Sequence, residues 1–245
     1  AKEVGVKGVY IKDESKRFGL NAFKALGASY AIHKLFPDGN VGLTVTATDG
    51  NHGKGMAWST HRLGGHAVVF MPAGTVANRV EAIRAIGDTE VTVTDLNYDG
   101  TVATAAAYAK EHGGHLVQDT AFTGYEEVPE NITLGYSTMA AEALEELAAL
   151  GVGEPTHTFL QAGVGSMAGG VAAYLAETCK NPPAMAVVEA WESACVLESI
   201  RQGRLVTIEG HTQTSMAGLN CGTPTPRSCP FCRSGRSSIS AARTK

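Results

Sequence analysis

The stretch 157–178, HTFLQAGVGSMAGGVAAYLAET, has the pattern of a strand, a glycine-rich turn and a helix in direct succession. Glycines in such a turn let backbone N–H groups approach an anion, and the helix N-terminus adds a favourable dipole. The turn is not a dinucleotide-binding GxGxxG motif, since Ala168 occupies the third glycine position, and it lacks the GK[ST] of a P-loop. We therefore predict a phosphate cradle, with a tight helix–strand turn as the alternative. The cradle residues are Gly163, Val164, Gly165, Ser166 and Met167.

Strand and helix patterns alternate along the rest of the chain. The predicted strands are 8–15, 43–50, 66–72, 89–95, 115–120, 157–163 and 184–190. The predicted helices are 21–36, 52–64, 76–87, 101–113, 131–150, 166–179 and 192–203. Strands that alternate with helices of this length indicate βαβ units and parallel sheet, so the predicted fold class is α/β.

Composition and charge exclude several classes of protein. Of 245 residues, 44% are hydrophobic and 18% are charged, which is typical of a globular protein rather than a disordered one. The final 23 residues carry five basic side chains and no acidic one, which leaves a net charge of −9 on the remainder. The net negative charge of residues 1–222 disfavours nucleic-acid binding. No apolar run is long enough for a membrane span. The basic segment 223–245 is expected to be disordered.

The five cysteines do not indicate a disulfide framework or a metal site. Their number is odd, and they are spread over positions 179, 195, 221, 229 and 232. Cys229 and Cys232 form a CxxC pair, but no second ligand pair accompanies it, so we predict no metal. An acidic chain without a signal-peptide pattern is expected to be cytoplasmic, where thiols stay free.

Polar side chains that could carry chemistry follow two predicted strands and open one predicted helix. Lys24 lies one turn into a helix, where a Schiff-base lysine and an ordinary surface charge are both open interpretations. Asp49, Asn51 and His52 share one strand-to-helix turn, in which Asp49 is a general base or a helix cap. Asp119 lies at another strand end, with the same two alternatives. None of these residues is decisive alone.

The combination of three segments carries a resemblance. SKRFGLNAFKALG (15–27), ATDGNHGKGMAW (47–58) and QAGVGSMAGG (161–170) together resemble the fold type II, tryptophan-synthase-β-like family of pyridoxal-phosphate enzymes. Segments 6–28, 66–87, 117–142 and 215–226 are more closely similar to its diaminopropionate ammonia-lyase branch. Related threonine and serine dehydratases usually begin the asparagine loop with serine, where this sequence has Asp49.

The resemblance implies a complete set of roles. Lys24 would hold pyridoxal 5′-phosphate as a Schiff base with Phe23 against the ring, and Asn51 would bond the ring 3-hydroxyl. The catalytic residues would be Lys24, Asp49 and Asp119. The backbone of the cradle residues would bind the phosphate. The reaction implied is α,β-elimination of 2,3-diaminopropionate, a small amino-acid substrate, to pyruvate and ammonia, carried out by a homodimer in amino-acid catabolism.

The resemblance also implies how the chain is organised. Residues 1–36 would begin a large cofactor-binding domain, 37–125 would form a small α/β domain with the asparagine loop, and 126–222 would return to the large domain. The similarity is expected to end near Pro226, which predicts a truncated or frame-shifted chain with a fold incomplete at both ends. The alternatives are a serine/threonine dehydratase-like lyase, an inactive family fragment and, more distantly, a dinucleotide-binding oxidoreductase.

Overall fold

A computed structural model describes residues 1–208, 214–225 and 238–242. Within these residues helices alternate with parallel strands, which confirms the predicted α/β class. The helices are α1 (Lys24–Leu35), α2 (Asn51–Arg62), α3 (Ala77–Arg84), α4 (Tyr98–Glu111), α5 (Glu127–Gly135), α6 (Ser137–Ala149), α7 (Ser166–Thr178) and α8 (Cys195–Gln202). The strands are β1 (Leu43–Ala47), β2 (His66–Met71), β3 (Thr89–Val93), β4 (His115–Leu116), β5 (His157–Gln161), β6 (Ala184–Ala190) and β7 (Ser238–Ala242). None of the described helices is long and apolar enough to cross a membrane.

The first sheet has four parallel strands in the order β3-β2-β1-β4. Strand β2 is almost entirely buried, because it is central in the sheet and helices cover both faces. Its register with β1 places Val45 opposite Val68. All four strands lie within 37–125, the range predicted as a small domain, while the domain limits themselves stay a prediction.

The second sheet has three parallel strands in the order β5-β6-β7. Strand β7 lies within the basic segment 223–245, so the expectation of disorder is wrong for Ser238–Ala242, whose backbone pairs with β6. The parallel neighbour supplies hydrogen bonds that no local sequence pattern shows. Residues 226–237 and 243–245, with the Cys229/Cys232 pair, lie outside the described residues.

Close helix contacts fix the start of α1. A Cβ on Gly55 of α2 would lie 2.6 Å from the backbone nitrogen of Ala25, and one on Gly27 would lie 2.6 Å from the carbonyl oxygen of Ile132 in α5. Helix α1 is therefore packed backbone to backbone against both neighbours, as small residues allow. The consequence is that Lys24, the first residue of α1, has a fixed position.

Two further sequence expectations differ from the structure. Residues 8–15 were predicted as a strand, but they form an irregular segment without strand pairing. Ion pairs from Lys12 and Arg17 to Glu142 hold this segment on α6 instead. The helix predicted over 131–150 is divided between α5 and α6, and the division follows Gly135, where the helix backbone approaches α1 closely.

Candidate active site

A cavity of about 890 Å³ opens where the carboxyl ends of strands meet the first turns of α1, α2 and α7. Ligand sites of open α/β sheets form at such strand ends. All the residues that the sequence singled out as a site line this one cavity. They are Phe23, Lys24, Asp49, Asn51, Asp119, Gly163, Val164, Gly165, Ser166 and Met167. Tertiary structure thus brings together residues that lie up to 144 positions apart in the chain.

Lys24 and Asp119 form the central ion pair of the cavity. The Nζ atom of Lys24 donates to Oδ2 of Asp119 at 2.7 Å. Burial works against the charge on Lys24, but the Asp119 carboxylate outweighs it, so the pKa of Lys24 is raised. Burial likewise opposes the Asp119 charge, and the nearby His52 and Lys24 lower the pKa of Asp119 despite it. Without a further ligand, Lys24 is therefore a cation and Asp119 an anion at neutral pH.

His52 is a third member of this cluster that the sequence did not assign. The ring is only 5% exposed, and its Nε2 atom lies 2.7 Å from the carbonyl oxygen of Val117. A carbonyl only accepts, so Nε2 carries a proton. The Nδ1 atom lies 3.7 Å from Oδ2 of Asp119 and has no hydrogen-bond partner. The sequence placed His52 beside Asn51, but only the fold reveals its proximity to Asp119.

The glycine-rich turn forms the opposite wall and ends at the N-terminus of α7. Gly165 adopts φ +92°, a left-handed conformation that strains residues with a side chain. A Cβ on Gly163 would lie 2.9 Å from Sγ of Cys221. The segment after residue 213 closes the turn, because the Thr225 backbone N–H donates to the carbonyl oxygen of Val164 at 2.9 Å. This wall presents backbone rather than side chains to an anion.

The loop that precedes α2 carries Asp49 at the cavity rim. The Asp49 side chain is 68% exposed, and Nη1 of Arg79 lies 3.8 Å from its carboxylate. The same nitrogen donates to the Asp49 carbonyl oxygen at 3.1 Å. Thr48 orders the loop, since its Oγ1 accepts from the backbone N–H groups of Gly50 and Gly53. Asp49 is thus a rim carboxylate with a neighbouring cation, and the sequence did not indicate Arg79.

Tyrosines complete the surroundings of Lys24 and Asp119. The rings of Phe23 and Tyr136 lie 5.9 and 5.8 Å from the Lys24 Nζ atom. Burial raises the pKa of Tyr136 to about 12, so this hydroxyl stays neutral. Burial also raises the pKa of Tyr98, another cavity residue. No sequence spacing relates these tyrosines to Lys24, because Tyr98 begins α4 and Tyr136 lies between α5 and α6.

The remaining sequence expectations concern cysteines and metals. Cys195 and Cys221 are both free thiols. Burial raises the pKa of Cys195 to about 12, which disfavours its reactive thiolate. Among the described residues no group of histidines, cysteines and carboxylates is arranged to hold a metal ion.

A family model described as "pyridoxal-phosphate dependent enzyme" matches residues 1–243. The chain belongs to this family. The match extends beyond Pro226, so the expectation that family similarity ends there is wrong. The cofactor of the family is pyridoxal 5′-phosphate.

Relatives within the family are similar over most of this chain. It is 44% identical over 241 residues to the diaminopropionate ammonia-lyase of Escherichia coli K12, an alignment that covers 91% of this chain and 60% of that protein. The Salmonella typhimurium LT2 diaminopropionate ammonia-lyase is 43% identical, and that alignment covers 99% of this chain and 66% of that protein. A crystal structure of the E. coli enzyme with an aminoacrylate–pyridoxal-phosphate azomethine intermediate superposes with a TM-score of 0.81 at 41% identity, covering 94% of this chain and 61% of that one. The chain thus spans about three fifths of the length of these relatives.

The residues present fit pyridoxal phosphate. A buried lysine projects into the cavity, and the left-handed Gly165 with the α7 N-terminus forms a cradle that suits a phosphate dianion. Phe23 supplies an aromatic wall beside Lys24. In this arrangement Lys24 would hold the cofactor, and the backbone of the glycine-rich turn would bind the cofactor's phosphate.

Proposed function

We propose that this protein is a carbon–nitrogen lyase that eliminates the β-amino group of 2,3-diaminopropionate as ammonia. Water then hydrolyses the released aminoacrylate to pyruvate and a second ammonia. The observation that carries the proposal is the partly buried Lys24–Asp119 pair, which shares one cavity with a glycine-rich helix N-terminus. Diaminopropionate ammonia-lyases at 44% and 43% identity support the same substrate class.

Lys24 and Asp119 supply the proton chemistry in this proposal. Bound pyridoxal phosphate acts as an electron sink for a substrate carbanion. Asp119, as an anion of lowered pKa, removes or holds a proton at the substrate Cα. Lys24, once released from the cofactor, returns a proton or accepts one at the same carbon. The Nζ atom of Lys24 and the Oδ2 atom of Asp119 lie 2.7 Å apart, so a proton has a short path between them.

Asp49 and Asp119 account for the choice of a diamino acid. The two carboxylates line one cavity, one at the rim and one buried. A carboxylate attracts the second ammonium group, which distinguishes 2,3-diaminopropionate from serine and threonine. We assign Asn51, at the first position of α2, to the cofactor ring and Asp49 to the β-ammonium group.

Substrate turnover tests the proposal directly. The purified chain with added pyridoxal phosphate should develop an absorbance band near the visible edge that Lys24→Ala abolishes. Addition of 2,3-diaminopropionate should change this band and release pyruvate and ammonia. Release of 2-oxo acid from serine or threonine in preference would favour the dehydratase alternative. A lysine-dependent band without turnover of any of the three substrates would favour the non-catalytic alternative.

We further propose a homodimer in the cytoplasm. The exposed apolar side chains of Val9, Tyr10 and Ile11 favour self-association. The free thiols of Cys179, Cys195 and Cys221 favour a reducing compartment. Sedimentation equilibrium of the purified chain should give twice the monomer mass of 25.5 kDa, and a monomer at micromolar concentration would contradict the dimer.

A further inference from the structure

The unpartnered Nδ1 atom of His52 is a feature of the site that the reaction above does not use. The ring is 95% buried, Nε2 is committed to Val117, and Nδ1 faces Asp119 at 3.7 Å. A buried polar atom without a partner is unfavourable by about 1–3 kcal/mol. In the neutral ring the Nδ1 lone pair faces the Asp119 carboxylate, and these two acceptors repel each other. A second proton on the ring, at Nδ1, makes the contact attractive.

The charge balance of the cavity explains when that proton is needed. Lys24 is the hydrogen-bonded cation of Asp119 as long as its Nζ atom is free. A lysine that holds the cofactor no longer offers an ammonium group to Asp119. The carboxylate is only 15% exposed, so loss of the ammonium group leaves its negative charge without its positively charged partner.

The other neighbours of Asp119 do not meet this need. Tyr98, Tyr125 and Tyr136 stay neutral, because burial raises the pKa of each hydroxyl, so none of them can supply the positive charge that Lys24 supplied. Asp49 is itself an anion and Cys221 has a raised pKa, with burial as the main cause. The side chain of His52 is therefore the cation-forming group best placed to replace Lys24.

We propose that His52 is a positioning residue that takes over from Lys24 as the hydrogen-bond donor to Asp119 when Lys24 holds the cofactor. This inference rests on the proposed function, since it assigns Lys24 and Asp119 their roles. His52 keeps its Nε2 proton on Val117, gains a proton on Nδ1 and fixes the direction of the Asp119 carboxylate. It does not touch the reacting carbon.

Nitrogen NMR of the ring tests the inference without turnover. Lys24→Gln removes the ammonium group beside Asp119, and the spectrum at pH 7 should then show a larger fraction of His52 rings with protons on both Nδ1 and Nε2 than in the unsubstituted protein. In a Lys24→Gln/Asp119→Asn double variant this increase should disappear. His33, exposed on α1, is the internal control. Unchanged protonation of His52 in Lys24→Gln would overturn the inference.

Two substitutions of His52 separate positioning from packing. His52→Asn keeps an amide donor near the Nδ1 position and loses the Val117 bond, whereas His52→Gln keeps a donor near Nε2 and loses the one toward Asp119. We expect kcat to fall at least tenfold in His52→Gln with KM within threefold, and His52→Asn to recover part of the loss. Equal loss in both, or a more active His52→Gln, would overturn the inference. Absence of pyruvate from the unsubstituted chain would instead contradict the proposed function and leave the NMR result valid.

Discussion

The Nζ atom of Lys24 donates to Oδ2 of Asp119 at 2.7 Å, although the two residues are 95 positions apart. Lys24 begins α1, and Asp119 follows β4 of the first sheet. This contact brings the start of α1 next to the loop that follows β4. Each residue holds the other in its charged form, since the pKa of Lys24 is raised and that of Asp119 is lowered.

Removal of this pair should lower stability in a pH-dependent way. In the cofactor-free protein, Lys24→Gln should cost about 2 kcal/mol of unfolding free energy at pH 7, because Asp119 loses its main donor. A lowered folded-state pKa stabilises above the unfolded value and is lost as pH falls through the folded value. The difference from the unsubstituted protein should therefore shrink below about pH 4. Urea unfolding measures it, and Lys34→Gln, exposed on the same helix, is the control.

The left-handed conformation of Gly165 gives a second prediction. Gly165→Ala places a side chain at φ +92° and should cost about 1–2 kcal/mol of stability. It should also weaken pyridoxal-phosphate binding at least tenfold, since the cradle backbone must shift. Gly151→Ala, at φ +68° with no atom within 4 Å of the new Cβ, should show the stability loss alone. Fluorescence titration with pyridoxal phosphate measures the cofactor affinity of the two variants, and equal affinities would refute the cradle.

The contact between Gly55 and α1 couples helix packing to the position of Lys24. Gly55→Ala would bring Cβ within 2.6 Å of the Ala25 nitrogen, and overpacking of this kind costs about 1–3 kcal/mol. The displaced α1 should reduce the lysine-dependent absorbance band as well as stability. Gly42→Ala, whose nearest atom would be 3.8 Å away, should change neither. Normal cofactor absorbance in a destabilised Gly55→Ala protein would contradict the coupling.

Glu142 on α6 gives a prediction of acid sensitivity. Hydrogen bonds from Arg17 are the main cause that lowers the pKa of Glu142 to about 2. The ion pair therefore stabilises the protein above about pH 4 and is lost as pH falls toward 2. Glu142→Gln should cost about 1 kcal/mol at pH 7 and clearly less at pH 2, where the carboxyl group is partly protonated. Unfolding curves at both values check this, with exposed Glu177→Gln as the matched control; a cost independent of pH would argue for packing alone.

Asp49 should determine substrate choice. Asp49→Asn removes a rim charge that we assign to the second ammonium group, so kcat/KM for 2,3-diaminopropionate should fall at least tenfold while that for serine changes less. Steady-state pyruvate assays with both substrates measure the ratio. Asp95→Asn makes the same charge change at an exposed position outside the cavity. An equal fall for both substrates would mean that Asp49 does not discriminate between them.

The fold class could be predicted from the sequence, and the candidate site residues that it singled out line one cavity. The β-branched segment 43–50 and the apolar segment 66–72 predicted strands, and both form largely buried parallel strands. The glycine-rich turn of 163–167 was recognisable since its backbone geometry requires glycine locally. The segment 8–15 was predicted wrongly, because its apolar residues suit a strand but no neighbouring strand pairs with it.

The sequence by itself determined which residue types stand at each strand end and each helix start, because capping, glycine turns and apolar periodicity are local properties of the chain. Tertiary structure alone decided which of them meet. The proximity of Asp119 to Lys24, of His52 to Asp119 and of Thr225 to Val164 depends on parallel pairing and on helix packing between distant segments. The charge states of Lys24 and Asp119 follow from that proximity and from burial, which no local pattern contains.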